Sequence, residues 1–79
     1  MEIRYTKSAG KSLNSLENII KSRIIQGIEI LPSGNVKRLQ GYVNIYRLRI
    51  GDFRVIFSIE ENTIIIRDIL PRGEAYKRY

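Results

Sequence analysis

The stretch Tyr46-Arg47-Leu48-Arg49-Ile50-Gly51-Asp52-Phe53-Arg54-Val55-Ile56-Phe57 decides the fold. Tyr46, Leu48 and Ile50 alternate with Arg47 and Arg49, and after Gly51-Asp52 the alternation resumes with Phe53, Val55, Phe57 and Ile59, the period of two that marks a half-buried strand. A two-residue Gly-Asp loop suits the II′ or I′ turns whose twist matches paired strands. The register that follows sets Ile50 opposite Phe53, Leu48 opposite Val55 and Arg49 opposite Arg54. In such a hairpin the second pair is the non-hydrogen-bonded one, with Cβ atoms about 4.5–5.5 Å apart, where like charges are destabilising. Arg47 projects on the same face. Three guanidinium groups are therefore expected to converge on the side away from the apolar face, and an anion would relieve their repulsion. Phosphate fits the guanidinium fork bidentately.

Upstream, Glu2-Ile3-Arg4-Tyr5 alternates briefly and reads as a short strand ending at Thr6, a capping residue. From Lys7 to about Leu16 the apolar positions Ala9, Leu13 and Leu16 fall at helical spacing, and Ile19, Ile20, Ile24, Ile28 and Leu31 repeat it from Asn18 to Leu31. Asn14, Ser15 and Asn18 supply the break and cap signals of a helical hairpin, although a single bent helix has the same spacing. Pro32-Ser33-Gly34-Asn35 stops the second helix. The first long strand is expected over Val43 to Ile50. Downstream, Glu61-Asn62 marks a turn, and Thr63 to Ile69, with Ile64, Ile65 and Ile66 in unbroken sequence, reads as a central strand covered on both faces. Pro71 and Gly73 end it and leave a short basic tail. The order β, α, α, β, β, β gives an α+β fold, a helical hairpin packed on one face of a twisted antiparallel sheet.

Seventy-nine residues are expected to form one domain over 1–79, and 43% apolar against 28% charged residues is a globular composition. There is no Cys and no His, which excludes disulfides, thiolate nucleophiles, the usual zinc sites and imidazole bases. No apolar run approaches the 18–20 residues of a membrane span, and Glu2, Arg4 and Lys7 follow Met1 where a signal peptide would carry a basic and then an apolar stretch. The expected location is cytoplasmic. Fourteen Lys and Arg against eight Asp and Glu give a net charge of +6, a balance that favours a polyanionic partner, nucleic acid first. Residues 32–59 hold five basic residues and one acidic, so the middle carries +4 of that total.

A plainer interpretation of the arginines stays open, because arginine is an ordinary occupant of a solvated sheet face and Asp68 or Glu74 could pair with one of them. Arg67 and Asp68 are expected on alternate faces in structural roles. Tyr76 and Tyr79 read either as core or rim aromatics of a C-terminal segment or, beside a phosphate site, as aromatics that stack on a base, worth about 1–3 kcal/mol, or donate a hydroxyl. Lys7, Lys11 and Lys21 fit the solvated face of the helices, and Tyr5, Phe53 and Phe57 fit the core.

Three blocks, Leu39-x-Gly41, the twelve residues from Tyr46 to Phe57, and Arg72-Gly73-Glu74-Ala75-Tyr76, resemble the RelE/ParE toxin superfamily, and the likeness extends over the whole chain. It implies a toxin of a type II toxin-antitoxin system. RelE-like members are ribosome-dependent endoribonucleases that cleave translated mRNA in the ribosomal A site, whereas ParE-like members share the fold and poison DNA gyrase, which is the alternative function. Carried across, the resemblance implies Arg47 and Arg49 as the basic pair on the first long strand, Arg54 after the turn, and Arg72 and Tyr76 after the last strand. Arg54 and Arg72 are expected on a solvated face. One departure matters, since RelE itself has lysines where this chain has Arg47 and Arg49, and arginine is a poor base at neutral pH. The implied partners are a cognate antitoxin in a hetero-oligomer, mRNA and the ribosome, with no membrane, no cofactor and no metal.

Overall fold

The computed structural model describes residues Met1–Tyr79. Its framework grows from the hairpin. Strand β3 (Ile45–Ile50) pairs with β4 (Phe53–Glu60) in the expected register, Ile50 opposite Phe53, Arg49 opposite Arg54 and Leu48 opposite Val55. Gly51 takes φ +54, the left-handed conformation that the first position of a II′ loop requires and that glycine adopts without a Cβ penalty. A second turn at Glu61-Asn62 returns the chain as β5 (Thr63–Pro71). The first strand β1 (Glu2–Tyr5) lies at the outer edge beside β5.

Two helices separate β1 from the hairpin. Thr6 Oγ1 caps α1 (Lys7–Asn14) by accepting from the Ala9 N–H at 3.1 Å, and donates in turn to the Arg67 carbonyl at 2.8 Å. The helix breaks at Ser15, and α2 (Asn18–Glu29) follows, so the two are distinct helices. Leu31 lies beyond the end of α2 but is still buried. Ala9 and Leu13 from α1 and Ile24 and Ile28 from α2 meet Leu48, Val55, Phe57, Ile64, Ile66 and Ile69 from the sheet in one apolar core. Phe57, fully buried, stacks on Tyr46 with ring centroids 5.5 Å apart. A Cβ at Gly27 would come 2.5 Å from Ile50 Cδ1, so glycine there lets α2 approach β3 closely.

Several expectations are corrected. The sheet has five strands in the order β1-β5-β4-β3-β2 and is mixed, because β1 runs parallel to β5. The two helices carry the chain from β1 to β2 at the opposite edge, and the three antiparallel pairings that follow bring β5 back beside β1 running in the same direction. The central strand is β4, with β5 beside it. An unread strand, β2 (Val36–Arg38), pairs with β3 and forms the other edge. Strand β3 begins at Ile45 and not Val43. Asn44 takes φ 63 and closes the strand end by exchanging side-chain hydrogen bonds with the Ile59 backbone, leaving Val43 88% exposed. Tyr5 sits at the edge and is exposed, while Phe53 packs at the core margin and Phe57 at its centre. The basic tail is helical: α3 (Arg72–Arg78) folds back against β4 and β5 on the face away from α1 and α2, and buries Ala75.

Candidate functional site

The face covered by α3 carries the arginines. Arg49 stands opposite Arg54 across the hairpin, and one row further from the turn Lys37 on β2 stands opposite Arg47 on β3. Two pairs of like charges thus face each other on adjacent strands, an arrangement that costs stability unless a counter-charge intervenes. Between this face and α3 lies an open cleft of about 450 Å³, within the range of ligand sites. Lys37, Arg38, Arg47, Arg49, Arg54 and Arg72 line it, with Tyr76 at its side and Ile56 and Ala75 among its apolar lining. No carboxylate contributes to the wall.

The acidic residues that could have compensated the cluster are engaged elsewhere. Asp68 pairs with Arg78 at 3.6 Å, Glu74 with Arg78 at 3.3 Å, and Glu60 with Arg67 at 3.1 Å. The arginine pairing left open by the sequence therefore goes to other cations. Arg49 and Arg72 have exposed side chains without a hydrogen bond or ion pair, while Arg47 Nη1 donates to Asn35 Oδ1 at 3.3 Å. Arg54 departs from its expected solvated setting: it is half-buried, and its Nη1 donates to the Gly51 and Phe53 carbonyls at 3.1 and 3.0 Å. These bonds orient its guanidinium over the turn. Partial burial, and then the fields of Arg49, Arg47 and Arg72, hold its pKa below the usual arginine value, with Asp52 opposing. An arginine guanidinium keeps its charge at neutral pH even so.

Helix α3 brings the remaining two residues to the cleft. The Arg72 N–H bonds the Asp52 carbonyl at 2.8 Å, which ties the start of the helix to the hairpin turn. At the other end the Tyr79 hydroxyl donates to Asp68, and its ring packs 5.8 Å from Tyr42. Burial, reinforced by the Asp68 hydrogen bond and charge, pushes the Tyr79 hydroxyl up to about 12, so it is a donor throughout the physiological range. The anchoring depends on a register shift in β5: Ile56 faces Asp68 but Phe57 faces Ile66, which leaves Arg67 as an extra residue. Such a bulge re-aims side chains. Arg67 Nε donates to Ser58 Oγ at 3.0 Å while Asp68, opposite Ile56, engages Tyr79, so both lie on the α3 face, correcting the expected alternation.

Of the residues named from the sequence, Arg47, Arg49, Arg54, Arg72 and Tyr76 all line this one cleft. Tyr76 is 80% exposed, which excludes a core role and leaves its ring free. Tyr79 also borders the cleft but is held by Asp68. Sequence reasoning missed Lys37 and Arg38. The excess of +4 over residues 32–59 was their only signal, because without β2 nothing connected them to the hairpin.

The same fold recurs in proteins of a named family. Residues 3–76 match the family described as the ParE toxin of type II toxin-antitoxin system, parDE. The protein named Toxin RelE3 from Methanocaldococcus jannaschii is 31% identical over 84 residues, covering 96% of each chain. In the crystal structure of the RelB-RelE antitoxin-toxin complex from Methanococcus jannaschii, a chain 28% identical superposes with a TM-score of 0.80 over 95% of this chain and 96% of that one. The archaeal RelE-RelB complex from Pyrococcus horikoshii contains one that is 30% identical, with a TM-score of 0.77 and coverage of 91% and 94%. With the family match over residues 3–76 and these relatives on the same fold, the chain belongs to the ParE toxin family, as a toxin of a type II toxin-antitoxin system.

Proposed function

We propose that this toxin is a ribosome-dependent endoribonuclease that cleaves translated mRNA in the A site. The observation that carries the reading is the convergence of Arg47, Arg49, Arg54 and Arg72 with an exposed Tyr76 on one cleft that has no carboxylate in its wall. Attack by an RNA 2′-hydroxyl on the adjacent phosphorus builds negative charge on a phosphorane and then on the departing 5′-oxygen. Arg47, Arg49 and Arg54 hold and neutralise the scissile phosphate, as preorganised donors whose field does not have to reorganise during reaction. Arg72 screens the leaving-group side, and Tyr76 stacks on the adjacent nucleotide. With no His in the chain, and arginines too basic to accept the proton, the ribosome completes the site by supplying or tuning the base. Activity on free RNA is accordingly near zero.

The partner that restrains it is an antitoxin, in keeping with the RelB-RelE complexes of its structural relatives. An acidic segment suits the cationic cleft, and exposed Ile19, Ile30 and Val43 offer apolar contacts outside it. The chain matches the ParE toxin family, and the second reading is therefore gyrase poisoning of the ParE kind, with the arginines contacting a macromolecule and no bond broken. Primer extension on translated mRNA after brief induction, beside a plasmid supercoiling assay, separates the two. New 5′ ends within translated codons with unchanged supercoiling support the nuclease. Uncut mRNA with altered supercoiling replaces it with the gyrase activity.

A further inference from the structure

The cleft holds more positive charge than one phosphate needs, and the charge is arranged in rows. Arg49 and Arg54 form the row next to the turn, and Lys37 and Arg47 form the next. Arg47 and Arg49 are two residues apart on β3, so the rows are separated by about 6.8 Å, comparable with the distance between consecutive phosphates of an extended polynucleotide chain. Arg47 reaches between them. Its guanidinium bonds Asn35, and the Asn35 carbonyl accepts the Arg49 N–H, so Arg47 leans from its own row toward that of Arg49. Lys37 stays in the second row alone, exposed on the edge strand, with no ion pair. The lining of about 450 Å³ extends to it without meeting a carboxylate.

We propose that Lys37, sharing Arg47, forms a second phosphate subsite, and that the cleft takes two consecutive phosphates of single-stranded RNA, with the scissile one between Arg49 and Arg54. The inference rests on the nuclease reading above for the choice of RNA and extends it by naming what holds the neighbouring nucleotide. A lysine suits that role, because a mobile point charge follows a backbone phosphate without demanding bidentate geometry. The neighbouring phosphate also answers the Lys37–Arg47 repulsion, as the scissile phosphate answers that of Arg49 and Arg54.

Titration of the isotopically labelled toxin by NMR tests the subsite with two uncleavable deoxy-substituted probes, a dinucleoside monophosphate with a single phosphate and a trinucleotide with two. The wild-type protein should bind the two-phosphate probe about tenfold more tightly at low salt, with a steeper salt dependence. Lys37→Ala should abolish that gain, reduce the log–log salt slope by about 0.7 and weaken the one-phosphate probe far less than the two-phosphate probe. Arg54→Ala should weaken both probes. Lys37→Gln, which keeps a polar side chain but removes the charge, should behave as Lys37→Ala, and Lys37→Arg should restore the gain. Equal weakening of both probes by Lys37→Ala, or a gain that survives the substitution, overturns the subsite. So does an equal Lys37-dependent gain for a glutamate oligomer, which would make the row a docking point for acidic protein. The probes require no cleavage, so a Lys37-dependent gain combined with uncut translated mRNA would retain the subsite and reject the nuclease reading.

Discussion

The two faces of the β3–β4 hairpin share one backbone and one register, yet they are built to opposite rules. On the side of α1 and α2, Leu48, Val55 and Phe57 are sealed among aliphatic side chains. On the side of α3, Arg47, Arg49 and Arg54 crowd one another around an open cleft. Alternation along a strand makes this possible, because successive residues serve different faces. The apolar face supplies the stability that lets the basic face keep its unfavourable charge pairs. The difference teaches that a change on one face should be read out as stability and a change on the other as chemistry.

The largest expected effect lies on the apolar face. Phe57→Ala removes the central fully buried ring, and a cavity of that kind costs about 3–5 kcal/mol. Chemical denaturation should show the loss, with toxicity falling because the protein unfolds. On the opposite face, Arg72→Ala should lower mRNA cleavage about 100–1000-fold, the effect of one missing donor to developing negative charge, while the denaturation midpoint stays within about 0.5 kcal/mol of wild type, since the side chain is exposed and unpaired. A Phe57→Ala protein of unchanged stability, or an Arg72→Ala protein that unfolds, would break the comparison.

Smaller effects sharpen it at the seam, where α3 is held by Asp68. Loss of one hydrogen bond in Tyr79→Phe removes about 0.5–1.5 kcal/mol of that anchoring, and amide hydrogen exchange should quicken in residues 72–79 while β4 and β5 keep their protection. The pH dependence has a definite sign. With its hydroxyl raised from 10.0 to about 12, folded Tyr79 holds its proton more tightly than the unfolded chain does. Its contribution is complete below pH about 10 and is lost as pH rises toward about 12. Tyr79→Phe should abolish that part of the alkaline loss, and at neutral pH it should leave only the constant loss of the one hydrogen bond to Asp68. The least disruptive substitution is Tyr76→Phe. Stacking survives loss of the hydroxyl, so cleavage should stay within about threefold of wild type, whereas Tyr76→Ala forfeits the stacking of one base, about 1–3 kcal/mol.

The hairpin face was legible in the sequence because a two-residue Gly-Asp loop leaves almost no freedom of register. Once Ile50 faced Phe53, Arg49 had to face Arg54. The resemblance added Arg72 and Tyr76, and the fold brings them to the same cleft. What could not be read depends on tertiary pairing. Val36–Arg38 is too short to display a period, and it becomes a strand only because β3 offers it an edge. Arg72–Arg78 follows a proline and contains Gly73, both of which signal a loop; yet Ala75 buried against the sheet and Tyr79 held by Asp68 stabilise it as a helix. Arg67 and Asp68 resemble alternating strand residues, since a bulge leaves no mark in a single sequence. Asn44 falls inside the expected strand because β-branched residues flank it, whereas its side chain closes the strand end.

The central claim, that the arginine face is chemistry supported by a separate core, is tested most directly by Arg54→Ala measured twice on the same preparation. One arm follows cleavage of translated mRNA on purified ribosomes, and the other follows the free energy of unfolding. Loss of two hydrogen bonds to turn carbonyls is offset by relief of the Arg49 repulsion, so stability should stay within about 1 kcal/mol. Cleavage should fall about 100–1000-fold. Undiminished cleavage, or a fall that merely tracks lost stability, would contradict the account.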